Sequence, residues 1–196
     1  MSQPPQAIDW ESRYQAGATG WERAGPNPAF LSWRASGALA PCRILIPGAG
    51  RSHEPLALAE AGFDVTVLDI APSAAAAQAA RLASFGARAR VVTSDLFVHA
   101  PTPPYDAIYD QTCLCALPPA RLSEYVALLA RWLRPGGRLF ALFMQTGEPG
   151  GPPFDCPLPV MRDLFAAPLW AWPAVLDAEV PHGPGRVEQP AVLIRR

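Results

Sequence analysis

Apolar positions along this chain alternate between two patterns: short unbroken runs, and longer stretches in which they recur every three or four residues. The runs predict buried strands and the recurrences predict helices packed on them. CRILIP (42–47) is the first such strand, and EPLALAEAG (54–62) a helix ended by Gly62. DVTVLDI (64–70) is a second strand, followed by a helix over 74–85 that Ser73 is placed to cap. ARVVTSD (89–95) and YDAIYDQ (105–111) read as the third and fourth strands. From Arg121 to Leu133 the apolar residues Leu122, Tyr125, Val126, Leu129 and Trp132 fall near the 3.6-residue period of a helix. Pro135, Gly136 and Gly137 then turn the chain into RLFALFM (138–144), a fifth strand.

The flanks are less regular. Residues 1–40 are Trp-rich and broken by Gly and Pro, with Asn27-Pro28 suited to the N-cap and first turn of a short helix reaching about Ser36. After the fifth strand come a glycine loop, GEPGGPPF (147–154), a short helix near 157–167 and two weaker strands near 173–180 and 190–195. No internal repeat is visible. Strands separated by helices of this length call for a mostly parallel sheet with helices on both faces, an α/β fold. Such sheets bind ligands beyond the carboxyl ends of their strands, at the point where strand order reverses.

Composition narrows the picture. The chain has 196 residues, half of them hydrophobic and 17% charged, which predicts one globular domain over 1–196. Its formal charge is -1, and the cations are scattered arginines with no lysine, so there is no basic stripe for nucleic acid. The start MSQPPQAIDW has neither a basic nor an apolar signal region, and no run is long enough to span a membrane. Cys42, Cys113, Cys115 and Cys156 lack both CxxC spacing and the density of a disulfide scaffold. These features predict a cytoplasmic monomer acting on a small molecule, with no bound metal.

The chemistry is carried by ILIPGAGRSHE (44–54) and the two strand ends after it. Gly48 and Gly50 fit a nucleotide-type turn, but His53 stands where a dinucleotide loop has its third Gly. Asp69 ends the next strand about 20 residues after Gly48, the spacing at which a carboxylate accepts ribose hydroxyls. Asp95, followed by Leu96, closes the third strand, where it can accept an adenine amino group while apolar neighbours such as Ile70 and Leu96 sandwich the ring. Ribose and adenine are thus provided for and no residue claims a phosphate. That pattern favours S-adenosylmethionine over a nicotinamide cofactor, with an NAD-dependent oxidoreductase and a non-catalytic S-adenosylmethionine sensor as the rival readings.

Seven motifs in register carry a resemblance. WESRYQAGATGWE (10–22), ILIPGAGRSHE, VTVLDI (65–70), SDLF (94–97), YDQTCLCALP (109–118), LRPGGRLFALFMQTG (133–147) and GGPPF (150–154) together resemble the thiopurine methyltransferase family, most nearly its halide and thiol methyltransferase branch. The resemblance spans about residues 9–155. It implies a seven-stranded Rossmann-like core (41–196) with an N-terminal lid (1–40), S-adenosyl-L-methionine as methyl donor and S-adenosyl-L-homocysteine as product. By position it assigns Trp10, Tyr14, Trp21, Gly48, Asp69, Asp95 and Gln111 to the cofactor, and Gly50, Ile70 and Leu96 stand within the same motifs.

For the acceptor, the branch implies a small soft nucleophile, such as a thiol, bisulfide, thiocyanate or halide, with thiopurines as the alternative. Trp21, Gln111, Cys113 and Phe154 are expected to wall its pocket, with Arg51 near the mouth. Trp10, Tyr14 and Trp21, four and seven residues apart, are expected on one helical face. His53 and Glu54 suit a helix start better than a base, and no His–carboxylate pair is visible. No general base is assigned, because a nucleophile that is already anionic needs none.

Overall fold

Five parallel strands form the centre of the molecule, in a computed structural model that describes residues 8–196. The strands are β1 (Arg43–Pro47), β2 (Asp64–Asp69), β3 (Arg90–Thr93), β4 (Tyr105–Gln111) and β5 (Leu133–Gln145). Three antiparallel strands complete the sheet: β6 (Trp170–Ala171), β7 (Val180–Pro181) and β8 (Val187–Arg195). The order is β3-β2-β1-β4-β5-β8-β6, with β7 paired to the free end of β8. Seven strands therefore lie on the main path, and the order reverses between β1 and β4.

The unbroken apolar runs are central strands buried on both faces. Ile44, Leu45 and Ile46 of β1 and Val65, Val67 and Leu68 of β2 are all within the core. One face is covered by α5 (Leu122–Trp132), whose apolar stripe packs Tyr125, Leu129 and Trp132 into a cluster with Ile108 and Leu139. The other is covered by α2 (Pro28–Ala35) and α3 (Glu54–Glu60), where Phe30, Trp33 and Leu58 meet Tyr109 and Phe140. The remaining helices are α1 (Trp10–Gln15), α4 (Pro72–Ser84) and α6 (Leu158–Leu164). As its sequence suggests, α2 is capped by Asn27, whose side chain accepts from the Ala29 N–H, with Pro28 in its first turn.

Three expectations need correction. Ser73 does not cap the helix after β2. Its N–H and hydroxyl both donate to Glu11, at 3.0 and 2.9 Å, so it belongs to the docking of α1. Pro135 to Gly137 do not precede the fifth strand but lie inside β5, beside a register shift between Tyr105 and Ala107 of its partner. No strand covers 173–180. The chain pairs only at Trp170–Ala171 and Val180–Pro181, two-residue bridges supported by β8. Residues 1–7, including most of the segment without a signal region, lie outside the described residues. Among the described residues, no helix is long and apolar enough to cross a membrane.

Candidate active site

The carboxyl ends of β1, β2 and β3 and the loop after β4 meet around a cavity of about 540 Å³. Its floor depends on glycine. Gly48 has φ +54°, and a Cβ there would stand 2.8 Å from the Cys113 sulfur. Gly50 has φ +53°, and its Cβ would run into the Tyr14 hydroxyl. Both positions therefore demand the missing side chain as well as the left-handed backbone.

Asp69 ties this turn to the second strand. Its Oδ2 accepts the Gly50 N–H at 2.7 Å and its Oδ1 the Ala71 N–H at 2.9 Å. Burial pushes its carboxyl above the ordinary value, opposed by those N–H donors. Each oxygen keeps capacity to accept a further hydrogen bond. Asp95 accepts the Phe97 N–H at 2.9 Å, fixing a single turn (Leu96–Val98) at the cavity edge.

The N-terminal segment docks through α1, where Asp9 accepts from Ser12 at the N-cap and Glu11 accepts from Ser73 on α4. The helix ends at Gln15, so Trp21 is not on its face as the spacing suggested. Trp21 folds back instead, edge-on to Trp10 at 5.4 Å and to Tyr14 at 5.6 Å, and donates to the Tyr14 hydroxyl at 3.4 Å. Arg51 clasps this segment, pairing with Glu22 at 2.6 Å and reaching Thr19 at 3.2 Å.

Behind the loop after β4 lies Asp110, wholly buried, with Oδ2 accepting from the Tyr125 hydroxyl at 2.6 Å and Oδ1 from the Leu114 N–H at 3.1 Å. Burial pushes its carboxyl up to about 6. Cys113 and Cys115 line the cavity, and burial holds both thiols well above their usual range. Cys42 lies just before β1, at the opposite end of the sheet. Among the described residues, no three His, Cys, Asp or Glu side chains converge as metal ligands would.

Trp10, Tyr14, Trp21, Gly48, Asp69, Ile70, Asp95, Leu96 and Cys113 all line the cavity. Gly50, Arg51 and Gln111 instead line a small adjoining pocket of about 30 Å³, and Gln111 accepts from the Tyr109 hydroxyl at 2.6 Å. Arg51 is thus engaged by Glu22 and does not open onto the main cavity. Phe154 lines neither pocket. Its N–H donates to the Cys115 carbonyl at 2.7 Å, and Pro152 and Pro153 form the wall in its place.

Several lining residues went unnoticed in the sequence: Arg13, Thr112, Met144, His182 and Arg186. Arg13 sits one helical turn from Trp10, and Met144 lies near the carboxyl end of the fifth strand, so periodicity and the strand-end rule could have found them. His182 and Arg186 lie on the hairpin between β7 and β8, which has no readable pattern.

The family model described as Thiopurine S-methyltransferase (TPMT) matches residues 6–180. Probable thiol methyltransferase 2 of Arabidopsis thaliana is 27% identical over 178 residues, covering 89% of this chain and 79% of that protein. Thiocyanate methyltransferase 1 of Brassica oleracea is 29% identical over 160 residues, covering 80% and 70%. Among solved structures, Burkholderia thailandensis 1,6-didemethyltoxoflavin-N1-methyltransferase, with S-adenosylhomocysteine bound, superposes with a TM-score of 0.75 at 22% identity. It covers 100% of this chain and 93% of that one.

Proposed function

The chain belongs to the thiopurine S-methyltransferase family and is an S-adenosylmethionine-dependent methyltransferase, and we propose that it methylates a small soft nucleophile. The acceptor classes are thiols and thiolates, bisulfide, thiocyanate and halides, attacked in line with the departing sulfur.

The observation that carries this reading is the division of the cavity. Asp69, Ile70, Asp95 and Leu96 stand at the ends of β2 and β3. Met144 of β5 stands at the other side, with Cys115 and the Pro152–Pro153 loop tied to it through the Phe154–Cys115 and Cys156–Met144 backbone hydrogen bonds, and Cys113 lies between, against Gly48. Three strand spacings, about 14 Å, separate β2 from β5 in the sheet. One end offers carboxylates to an adenosine, and the other offers sulfur and apolar carbon to the acceptor. Such a wall admits a large polarizable anion at far smaller desolvation cost than a small hard one.

The residues present fit the cofactor. Gly48 and Asp69 both line the cavity, and each Asp69 oxygen, holding one backbone N–H, retains capacity to accept from a ligand hydroxyl. When bound, S-adenosylmethionine supplies an electrophilic methyl on a sulfonium. Trp10, Tyr14 and Trp21, which pack edge-on at the cavity wall, would lie beside that cation, and aromatic faces favour a cation by about 0.5–2 kcal/mol. The wall would hold an acceptor in line with that methyl and keep water out, and such positioning can save several kcal/mol of entropy.

The same reading takes 1–196 as one domain of a cytoplasmic monomer that uses a small-molecule acceptor and no nucleic acid. The scattered arginines and formal charge of -1 support the part of it that excludes nucleic acid. Incubation with methyl-labelled cofactor and a panel of alkyl and aryl thiols, bisulfide, thiocyanate, thiopurines, alcohols and amines tests the acceptor class. Label is expected on the sulfur acceptors, with alcohols and amines poor. Efficient labelling of an alcohol or amine with none of any sulfur acceptor would overturn the assignment.

A further inference from the structure

A halide needs no base, yet the acceptor side of the cavity holds a buried imidazole–carboxylate pair. His182 Nδ1 lies 3.1 Å from Glu188 Oε1, with side chains 9% and 0% exposed. The other carboxylate oxygen is fully used: Oε2 accepts from Arg23 at 2.9 Å and from the Asn27 amide at 2.7 Å. Oε1 and Nδ1 are sealed from solvent, and neither has a hydrogen-bond partner elsewhere. Leaving a buried acceptor without a donor is costly. A proton on Nδ1, aimed at Oε1 by a small rotation of the ring, satisfies both atoms. That tautomer leaves the lone pair on Nε2, the ring nitrogen away from Glu188, in a residue that lines the cavity.

The hairpin fixes this arrangement. Val180 and Pro181 pair with Glu188 and Val187, and the His182 N–H donates to the Arg186 carbonyl at 2.9 Å. Val187 is also in register with Gln145 of β5, which brings the pair to the end of the sheet where Met144 lines the cavity. The charged groups around the pair are Arg23 from the lid, which binds Glu188 and the Pro181 carbonyl, Glu54 from α3, and Arg186 on the hairpin itself.

We propose that His182, oriented by Glu188, is the general base for a protic sulfur acceptor, so that the site is built to take a thiol still protonated at working pH, a task that a halide does not require. The inference rests on the soft-nucleophile reading above and narrows it. In the step, the S–H proton passes to His182 Nε2 and the sulfur's freed electron pair forms the new S–CH3 bond. The S⁺–CH3 bond breaks, its pair remaining on the departing thioether. The imidazolium is held beside the Glu188 carboxylate and gives its proton to solvent after product leaves.

The test compares wild type with His182→Gln on an alkyl thiol and on iodide or thiocyanate, which have no proton to lose. Calorimetry with S-adenosylhomocysteine within about twofold of wild type certifies that the variant's site is intact. At pH 7 the variant is expected to lose roughly 100-fold in kcat/KM for the thiol and less than about threefold for the anions. Its thiol rate should then rise tenfold per pH unit toward the thiol's own ionisation, near 8.5. His182→Ala should recover thiol activity with added imidazole. Equal losses for thiol and anion, or an unchanged thiol rate, would overturn the proposal. A readout without turnover is the ¹⁵N spectrum of the three histidines. The neutral ring of His182 should be protonated on Nδ1, and protonation on Nε2 would refute the dyad. If wild type binds S-adenosylhomocysteine but turns over no sulfur or halide acceptor, the acceptor reading falls, and this base's substrate with it. The tautomer then still reports separately on the dyad.

Discussion

Asp69 shows how much one side chain does here. It holds the glycine turn through the Gly50 N–H, binds the Ala71 N–H just before the next helix, and lines the cavity. Asp69→Ala therefore removes the carboxylate proposed to accept the ribose hydroxyls and also leaves two N–H groups unpaired. It is expected to weaken S-adenosylhomocysteine binding by about 1.5–3 kcal/mol, the range of hydrogen bonds to a charged group. Titration calorimetry on the folded variant measures this, and unchanged affinity would remove Asp69 from the site. The residue was legible because strand-end position and spacing from the glycines are both sequence properties. Arg51 illustrates the opposite. Its place after the turn was readable, but its capture by Glu22, 29 positions earlier, depends on where the lid folds.

At the scale of elements, the loop after β4 stands on Asp110. Its carboxyl, ordinarily near 3.8, is raised to about 6 by burial, so the protonated form suits the fold and the charged form costs it. The stability from this group is fully present below about 4 and is lost as pH rises through about 6, to the extent of about 3 kcal/mol. Asp110→Asn cannot ionise. Its stability relative to wild type should therefore improve between pH 4 and pH 7 by up to that amount, since the other titrating carboxyls cancel in the comparison. Denaturant unfolding at the two pH values tests this, and parallel curves for the two proteins would contradict it. The elements themselves were readable to the degree that their signal was local. Central strands showed as apolar runs and α5 as a periodic stripe, whereas Trp170–Ala171 and Val180–Pro181 exist only because β8 offers an edge to pair with. Two-residue bridges have no period to read. The same nonlocality hid His182 and Glu188, which become a pair only across the β7–β8 hairpin.

At the scale of the whole molecule, the sheet works as a ruler. Its order sets the carboxylates of β2 and β3 at one end of a continuous cavity and the sulfur-lined wall beside β5 at the other. The half proposed for the cofactor was legible in the sequence because its residues sit at strand ends in a fixed motif order. The acceptor half was less so, because Pro152, Pro153, His182 and Arg186 come from irregular loops whose placement only the fold decides. The claim at stake is that this wall selects for a soft, polarizable nucleophile, and the halides vary that property while keeping charge and lacking any proton. The measurement is kcat/KM for iodide, bromide and chloride with S-adenosylmethionine, followed from pH 6 to 9. The rates are expected to fall in that order, with the iodide profile nearly flat. Chloride equal to or faster than iodide, or methylation confined to alcohols and amines, would contradict the account.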